Sequence, residues 1–304
     1  MNQSPGDAIP AREAPPFAAD LIALTKPRLT VLVIATTAAS LWLATRAGLA
    51  QGVPPKPLAT LAVALFGTIL VVGGANTLNM YLERDTDGLM ARTSRRPLPT
   101  GRLAPDVALW FGLALSSSAL ALLFSAVNVA TGLLAAFALG MYVLVYTPLK
   151  RKTTLALPIG AIPGAIPPLL GWTAVTGRVD LPGLVLFGIL FLWQVPHFLA
   201  IATFRRDDYR RAGLKILPVE RGDRMTRIQI VVYLAALVGV SLLLWPLNVA
   251  GTFYFVAACV LGLAFFAVGA AGMAKSAGVR WARWLFGVSI IYLTLLLGAM
   301  MAPL

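Results

Sequence analysis

Apolar runs of roughly 20 residues, the length that crosses about 30 Å of hydrocarbon as a helix, recur along this chain. Nine stand out, near residues 28–46, 58–82, 107–125, 127–146, 155–174, 184–204, 228–247, 253–273 and 284–302. Polar and charged residues gather in the gaps between them. Because a helix satisfies its own backbone in lipid, the pattern predicts an all-α, polytopic membrane protein, a bundle of nine transmembrane helices over residues 21–304. Residues 1–20 are rich in proline and alanine with mixed charge and carry no apolar signal-peptide core, so a flexible tail is expected there, with the first span kept as a helix.

Composition agrees with that plan: 59% of the 304 residues are hydrophobic and only 12% charged, far too apolar for an ordinary soluble domain. The formal charge of +13 raises nucleic acid or an anionic surface as partners, but its distribution has a simpler cause. With the N-terminus placed in the cytoplasm, the inner segments hold 22 of the Lys and Arg residues and the outer ones 3. That asymmetry predicts an N-in, C-out topology in the cell inner (plasma) membrane. The lipid bilayer is then the partner that the charge serves, and nucleic acid is not expected. A single cysteine, Cys259, excludes an intrachain disulfide.

Two connections on the predicted cytoplasmic side, 83–106 and 205–227, are long and charged, and each opens with acids and continues with bases. They lie four spans apart, which hints at a duplicated four-helix unit with a ninth helix added. The fifth span carries Pro158, Pro163, Pro167 and Pro168 with Gly160, Gly164 and Gly171. Either a cavity wall or close helix packing accounts for such a helix.

The chemistry begins with Asn79, Glu83 and Asp87. Their spacing of four puts them in one column on one helix face at the end of the second span, where carboxylates are costly without a cation or a reaction to serve. Hard oxygen ligands of this kind suit Mg²⁺, which commonly joins one or two carboxylates to substrate phosphates. Arg92 and Arg96 follow, together with Lys150 and Lys152 after Tyr146, and are candidates for gripping phosphate oxygens. A third group holds Trp193, Gln194 and His197, the only histidine in the chain, with Asp207 and Asp208 beyond it as a candidate second metal site. An ionisable side chain inside a span is a functional-site hypothesis by default.

These motifs resemble the UbiA superfamily of intramembrane prenyltransferases, and most closely its haem-farnesylating branch. The likeness covers nearly the whole chain. It rests on Thr25-Lys26-Pro27-Arg28, on NxxxExxxD from Asn79 to Asp87 followed by RTSRRPL, on YTPLKRKT at 146–153, on IGAIPGAIPPLLGW at 159–172, and on WQVPHF running through DDY to LPV. Glu83 stands where the superfamily's first motif has a central Asp, and His197 and Gln194 stand where its quinone and chlorophyll branches tend to carry acids.

The resemblance implies a helical bundle with a cytoplasm-facing active site. It implies transfer of the farnesyl group of farnesyl diphosphate to the 2-vinyl group of haem B, giving haem O for haem-copper terminal oxidases. It also implies Mg²⁺ on Asn79, Glu83 and Asp87, with Asp207 and Asp208 as further metal ligands. His197, Gln194, Trp193 and Tyr146 are expected at the haem. Haem A synthase or an oxidase-assembly protein is the implied partner. A prenyltransferase acting on an aromatic quinone precursor is the alternative.

The topology is open to a direct check by single cysteines at Thr100 and Pro303 on a Cys259→Ser background. An impermeant thiol reagent applied to intact cells should label the Pro303 position and spare Thr100. The reverse pattern would invert the orientation.

Overall fold

The computed structural model describes residues 16–91, 93–274 and 276–303. Among them the elements are α1 (Phe17–Leu24), α2 (Pro27–Ala50), α3 (Leu58–Asp87), α4 (Pro105–Ala126), α5 (Val129–Gly140), a π-helical turn (Met141–Tyr146), α6 (Thr147–Leu149), α7 (Ala156–Thr176), α8 (Leu181–Phe204), α9 (Arg206–Arg211), α10 (Leu217–Glu220), α11 (Gly222–Leu242), α12 (Thr252–Ala271) and α13 (Val279–Met300). Nine of the described helices are long and apolar enough to cross a membrane, α5 with its π-turn and α6 counting as one. The chain is a multi-pass membrane protein.

Of the tail expected over 1–20, residues 1–15 lie outside the described residues. Residues 17–24 form α1, with Leu24 in a small core with Met80, Leu98, Leu103 and Ala108. Asp20 is buried there because Arg102, from the connection after α3, holds both carboxylate oxygens at 3.0 Å. Between α1 and α2, Lys26 takes the left-handed conformation at φ 52°. Pro27 after it disfavours the α region and supplies the first helical φ of α2.

The seventh span departs from the sequence expectation of 228–247. It starts at Gly222, and its first two turns carry Asp223, Arg224 and Arg227. It stops at Leu242, short of Pro246, which has no N–H to continue a helix. Asn248, at φ 56°, reverses the chain in the left-handed region that asparagine tolerates better than most residues.

The second span is the longest helix. Its 30 residues reach about 45 Å at 1.5 Å per residue, against a hydrocarbon thickness of about 30 Å. The helix therefore continues past the apolar run and carries Asn79, Glu83 and Asp87 on one unbroken face.

Helix α7 is the most buried span and packs on α2, α3, α5 and α8. It joins the first four spans to the last four, α13 closing back onto α2. Its three internal prolines survive because the helix is wrapped by protein, and its small residues let neighbours approach. At Gly171 an added Cβ would lie 2.5 Å from the carbonyl oxygen of Thr37, so α2 and α7 touch backbone to backbone. Ser40 Oγ donates to the Pro168 carbonyl beside that contact, at 2.5 Å.

Two alanine substitutions separate close packing from ordinary helix propensity. Gly171→Ala should destabilise the protein by about 1–3 kcal/mol, the usual cost of overpacking. Gly298→Ala, whose Cβ would meet nothing within 4 Å, should be neutral or stabilising. Thermal denaturation in detergent checks both, and an unchanged midpoint for Gly171→Ala would mean that α2 and α7 cross less closely.

Candidate active site

Each residue of the α3 column is met by a cation. Asn79, almost fully buried, accepts from Lys26 Nζ at 3.1 Å through Oδ1 and donates from Nδ2 to Thr147 Oγ1 at 3.0 Å. One turn on, Glu83 Oε1 accepts from Lys150 Nζ at 2.9 Å. At the last residue of α3, Asp87 Oδ2 accepts from Arg96 Nη1 at 2.6 Å, and Thr93 Oγ1 donates to the Asp87 carbonyl at 2.6 Å. Three cations from three separate segments thus converge on one helix face.

The other Asp87 oxygen, Oδ1, is buried with no hydrogen-bond partner. A buried carboxylate oxygen left unsatisfied is costly, and a divalent cation is the ligand that this donor set suits. Glu83 and Asp87, with the Asn79 amide, are the hard oxygens that Mg²⁺ takes alongside substrate phosphates. Among the described residues no cluster of three or more His, Cys, Asp or Glu side chains is assembled. The arrangement therefore fits a cation shared with a bound anion better than a closed protein cage.

The fourth span brings its share through an irregularity. Six residues from Met141 to Tyr146 form a π-helical turn, a feature common at functional sites. From it Tyr146 places its ring 4.5 Å from Lys150 Nζ, and Tyr142 donates to Asn76 Oδ1 at 3.4 Å. The Tyr146 ring lies where a Cβ on Gly160 would come within 2.3 Å of it, so this glycine makes room for the ring.

Charge density shows in the titration of the flanking lysines. Burial, then repulsion from Arg96 and Lys150, pushes Lys26 down to about 7, with Glu83 and Asp87 pulling the other way. Burial also works to lower Lys150, yet Tyr146 and Glu83 outweigh it and hold its ammonium above the ordinary range. Lys26, Thr147 and Tyr142 are site residues to which the sequence pattern assigned no role. Lys26 stands inside the TKPR motif and Thr147 inside YTPLKRKT, whereas Tyr142 offered only its place one helical turn before Tyr146.

The remaining candidates are distributed differently. Arg92 lies outside the described residues, and Lys152 is exposed two residues beyond Lys150. The structure does not bring Asp207 and Asp208 to the α3 column. They sit on α9, where Asp207 pairs with Arg210 at 3.7 Å and Asp208 with Arg205 at 3.6 Å and with Arg211. Arginines of α9 and of its N-cap thus pair with both carboxylates. The loop that holds them does approach the site, since the backbone N–H of Lys215 donates to the Lys150 carbonyl at 3.3 Å.

Trp193, Gln194 and His197 share α8 but face two ways. Gln194 is buried against α7, where a Cβ on Gly164 would lie 2.2 Å from its Oε1, and its Nε2 donates to the Leu190 carbonyl of α8 itself at 3.1 Å. Trp193 and His197 turn instead to α13: the indole Nε1 donates to the Ser289 carbonyl at 2.7 Å, and His197 Nδ1 lies 2.6 Å from Ser289 Oγ.

A helical bundle with a polar, cation-lined column at one end of its spans is the architecture of an intramembrane prenyltransferase. The chain belongs to the UbiA prenyltransferase family, whose model matches residues 31–296. A curated relative from Sorangium cellulosum (strain So ce56), protoheme IX farnesyltransferase, is 59% identical over 280 residues, covering 89% of this chain and 99% of the relative. One of the same description from Myxococcus xanthus (strain DK1622) is 50% identical, covering 95% and 96%. Among solved structures, a UbiA homologue from Archaeoglobus fulgidus bound to GPP and Mg²⁺ superposes with a TM-score of 0.67 at 16% identity, over 93% of this chain and 99% of that one. At that identity the likeness is one of fold.

Isosteric amides test the column without emptying it. Asp87→Asn and Glu83→Gln should each lower prenyl transfer by about a thousandfold, the equivalent of several kcal/mol of transition-state stabilisation; each should also lower the melting temperature, because Arg96 or Lys150 loses its counter-charge, with the helical circular dichroism spectrum retained. Near-normal turnover in either variant, or wild-type turnover in excess EDTA, would remove the metal assignment.

Proposed function

We propose that this protein transfers the farnesyl group of farnesyl diphosphate to the 2-vinyl group of haem B, producing haem O. One observation carries the diphosphate half: the α3 column, with Asn79, Glu83 and Asp87 each held by a separate cation and Asp87 Oδ1 buried without a partner. The acceptor half is supported by the relatives described as protoheme IX farnesyltransferase, 59% and 50% identical.

Asn79, Glu83 and Asp87 would hold Mg²⁺, which when bound offsets the charge of the diphosphate. Arg96 and Lys150, already poised beside those carboxylates, bind phosphate oxygens as negative charge builds on the leaving group, with Lys26 beside Asn79 and with Arg92 and Lys152 as further cations. The C1–O bond of the farnesyl chain breaks and its electron pair departs with the diphosphate. The π electrons of the haem vinyl group then form the new C–C bond. Water adds to the resulting cation and loses a proton, which completes the hydroxyethyl side chain. Apolar spans around the farnesyl chain exclude water until that last step.

His197, with Trp193, Gln194 and Tyr146, would orient the porphyrin, imidazole being a common axial ligand of haem iron. The active site would face the cytoplasm from the plasma membrane, as the 22 to 3 charge bias supports. The product suits an oxidase-assembly partner or haem A synthase. Asp207 and Asp208 would join a metal site only after exchanging their arginine partners.

Incubation of purified protein with haem B, farnesyl diphosphate and Mg²⁺, followed by mass analysis, should yield hydroxyethylfarnesyl haem and released diphosphate. His197→Ala should weaken haem binding and lower transfer while leaving farnesyl diphosphate affinity within a few-fold. Unmodified haem alongside farnesylation of an aromatic quinone precursor such as 4-hydroxybenzoate would replace haem as the acceptor.

A further inference from the structure

His197 is joined to α13 through an arrangement that fixes where its proton sits. Ser289 Oγ lies 2.6 Å from His197 Nδ1 and 2.6 Å from the carbonyl oxygen of Phe286. The hydroxyl has one proton, and the carbonyl has none to give. If Ser289 donated to Nδ1, its oxygen and the Phe286 carbonyl would face each other lone pair to lone pair at hydrogen-bond distance. The contacts close only when Ser289 donates to Phe286 and the imidazole donates from Nδ1 to Ser289.

The rest of the ring's surroundings are apolar and aromatic. Trp193 stacks on it with centroids 4.7 Å apart, Phe286 lies at 4.8 Å, and Phe198 meets it edge-on at 5.4 Å. The neutral ring is the one such walls favour, since none of them pairs with a charge. A neutral imidazole protonated on Nδ1 carries a bare lone pair on Nε2. His197 is half-buried while Trp193 and Ser289 are buried, so a rigid mount carries a residue that is not sealed in the core. Ser289 anchors this mount twice, since its carbonyl also accepts from Trp193 Nε1 at 2.7 Å. An oxygen acceptor on one ring nitrogen, with the other left free, is the usual arrangement of a metal-ligating histidine.

We infer that Ser289 is a positioning residue that holds His197 as the Nδ1–H tautomer and so presents Nε2 to the iron of the haem substrate. This rests on the proposed role of His197 at the haem and adds the atom that binds and the residue that prepares it. Ser289 is fully buried and acts only through the imidazole.

Because His197 is the only histidine, full-length protein purified through a histidine-free tag and grown on ring-¹⁵N histidine gives one imidazole signal set. In the wild type, without haem, Nδ1 should appear as the protonated nitrogen and Nε2 as the unprotonated one. Ser289→Ala should shift the proton toward Nε2, and Ser289→Thr, which keeps a hydroxyl, should restore the wild-type pattern. On titration with ferric haem B, Ser289→Ala should weaken binding about tenfold, the lower end of the effect of losing an outer-sphere partner. It should also lose the imidazole-ligated absorbance, with farnesyl diphosphate affinity unchanged.

A wild-type spectrum with the proton on Nε2 overturns the inference about Ser289, whatever the variants do. A Nδ1–H tautomer with haem affinity and absorbance unchanged in His197→Ala overturns the ligand role of Nε2 and the reading of His197 beneath it, while the tautomer assignment stands.

Discussion

Everything at the charged end of this bundle depends on neutralising oxygens where apolar helices meet polar loops. A buried carboxylate without a partner is severely penalised, and removing one member of a buried pair typically costs about 3–5 kcal/mol. Here the oxygens of Asn79, Glu83 and Asp87 sit on one helix, whereas their cations Lys26, Lys150 and Arg96 come from the start of α2, the end of the fourth span and the connection after α3. Each pairing therefore ties a different piece of chain to α3. A second pair, Asp20 with Arg102, clamps α1 onto the same connection, so the loop that supplies Arg96 is held from both ends.

The same pairs explain why the site suits an anion with a divalent cation. A column of acids alone would hold a metal tightly and repel phosphate; a cluster of bases alone would do the opposite. Interleaving them leaves local charge close to balance in the ligand-free state, with one oxygen, Asp87 Oδ1, lacking a partner. Under the proposed reading, diphosphate and Mg²⁺ enter together and each finds its complement within side-chain reach. Lys26, held in the left-handed region at φ 52°, is a backbone outlier of the kind that clusters at functional sites, and it is Lys26 that reaches Asn79.

Helix α7 borders both chemical groups. Its faces receive α2, α3, α5 and α8 at once, which only a helix of small side chains permits at close range. One of its faces meets the Tyr146 ring at Gly160 and, a turn further on, Gln194 at Gly164. Trp193 and His197 of α8 turn instead to Ser289 of α13. In the proposed reaction the diphosphate end, on α3, and the acceptor end, on α8, are thus mounted on different helices.

Much of this was legible in one dimension because its physical causes are local. Apolar run length sets a span, and all nine expected spans are present among the described residues. A spacing of four puts Asn79, Glu83 and Asp87 on one face of any helix that contains them. What the sequence could not carry were consequences of packing between distant segments. Helix α3 continues through Asp87 because loop arginines and Lys150 offset its acids, and α11 begins at Gly222 where polar first turns find partners such as Arg206 for Asp223. The spacing that grouped Gln194 with His197 could not show that one meets α7 and the other α13. Nor could it show that Asp207 and Asp208 spend their charge on arginines of α9 and its cap. Periodicity reports which side of a helix a residue occupies; only the tertiary structure decides what stands opposite, because that partner comes from a distant part of the chain, as Ser289 does, 92 residues from His197.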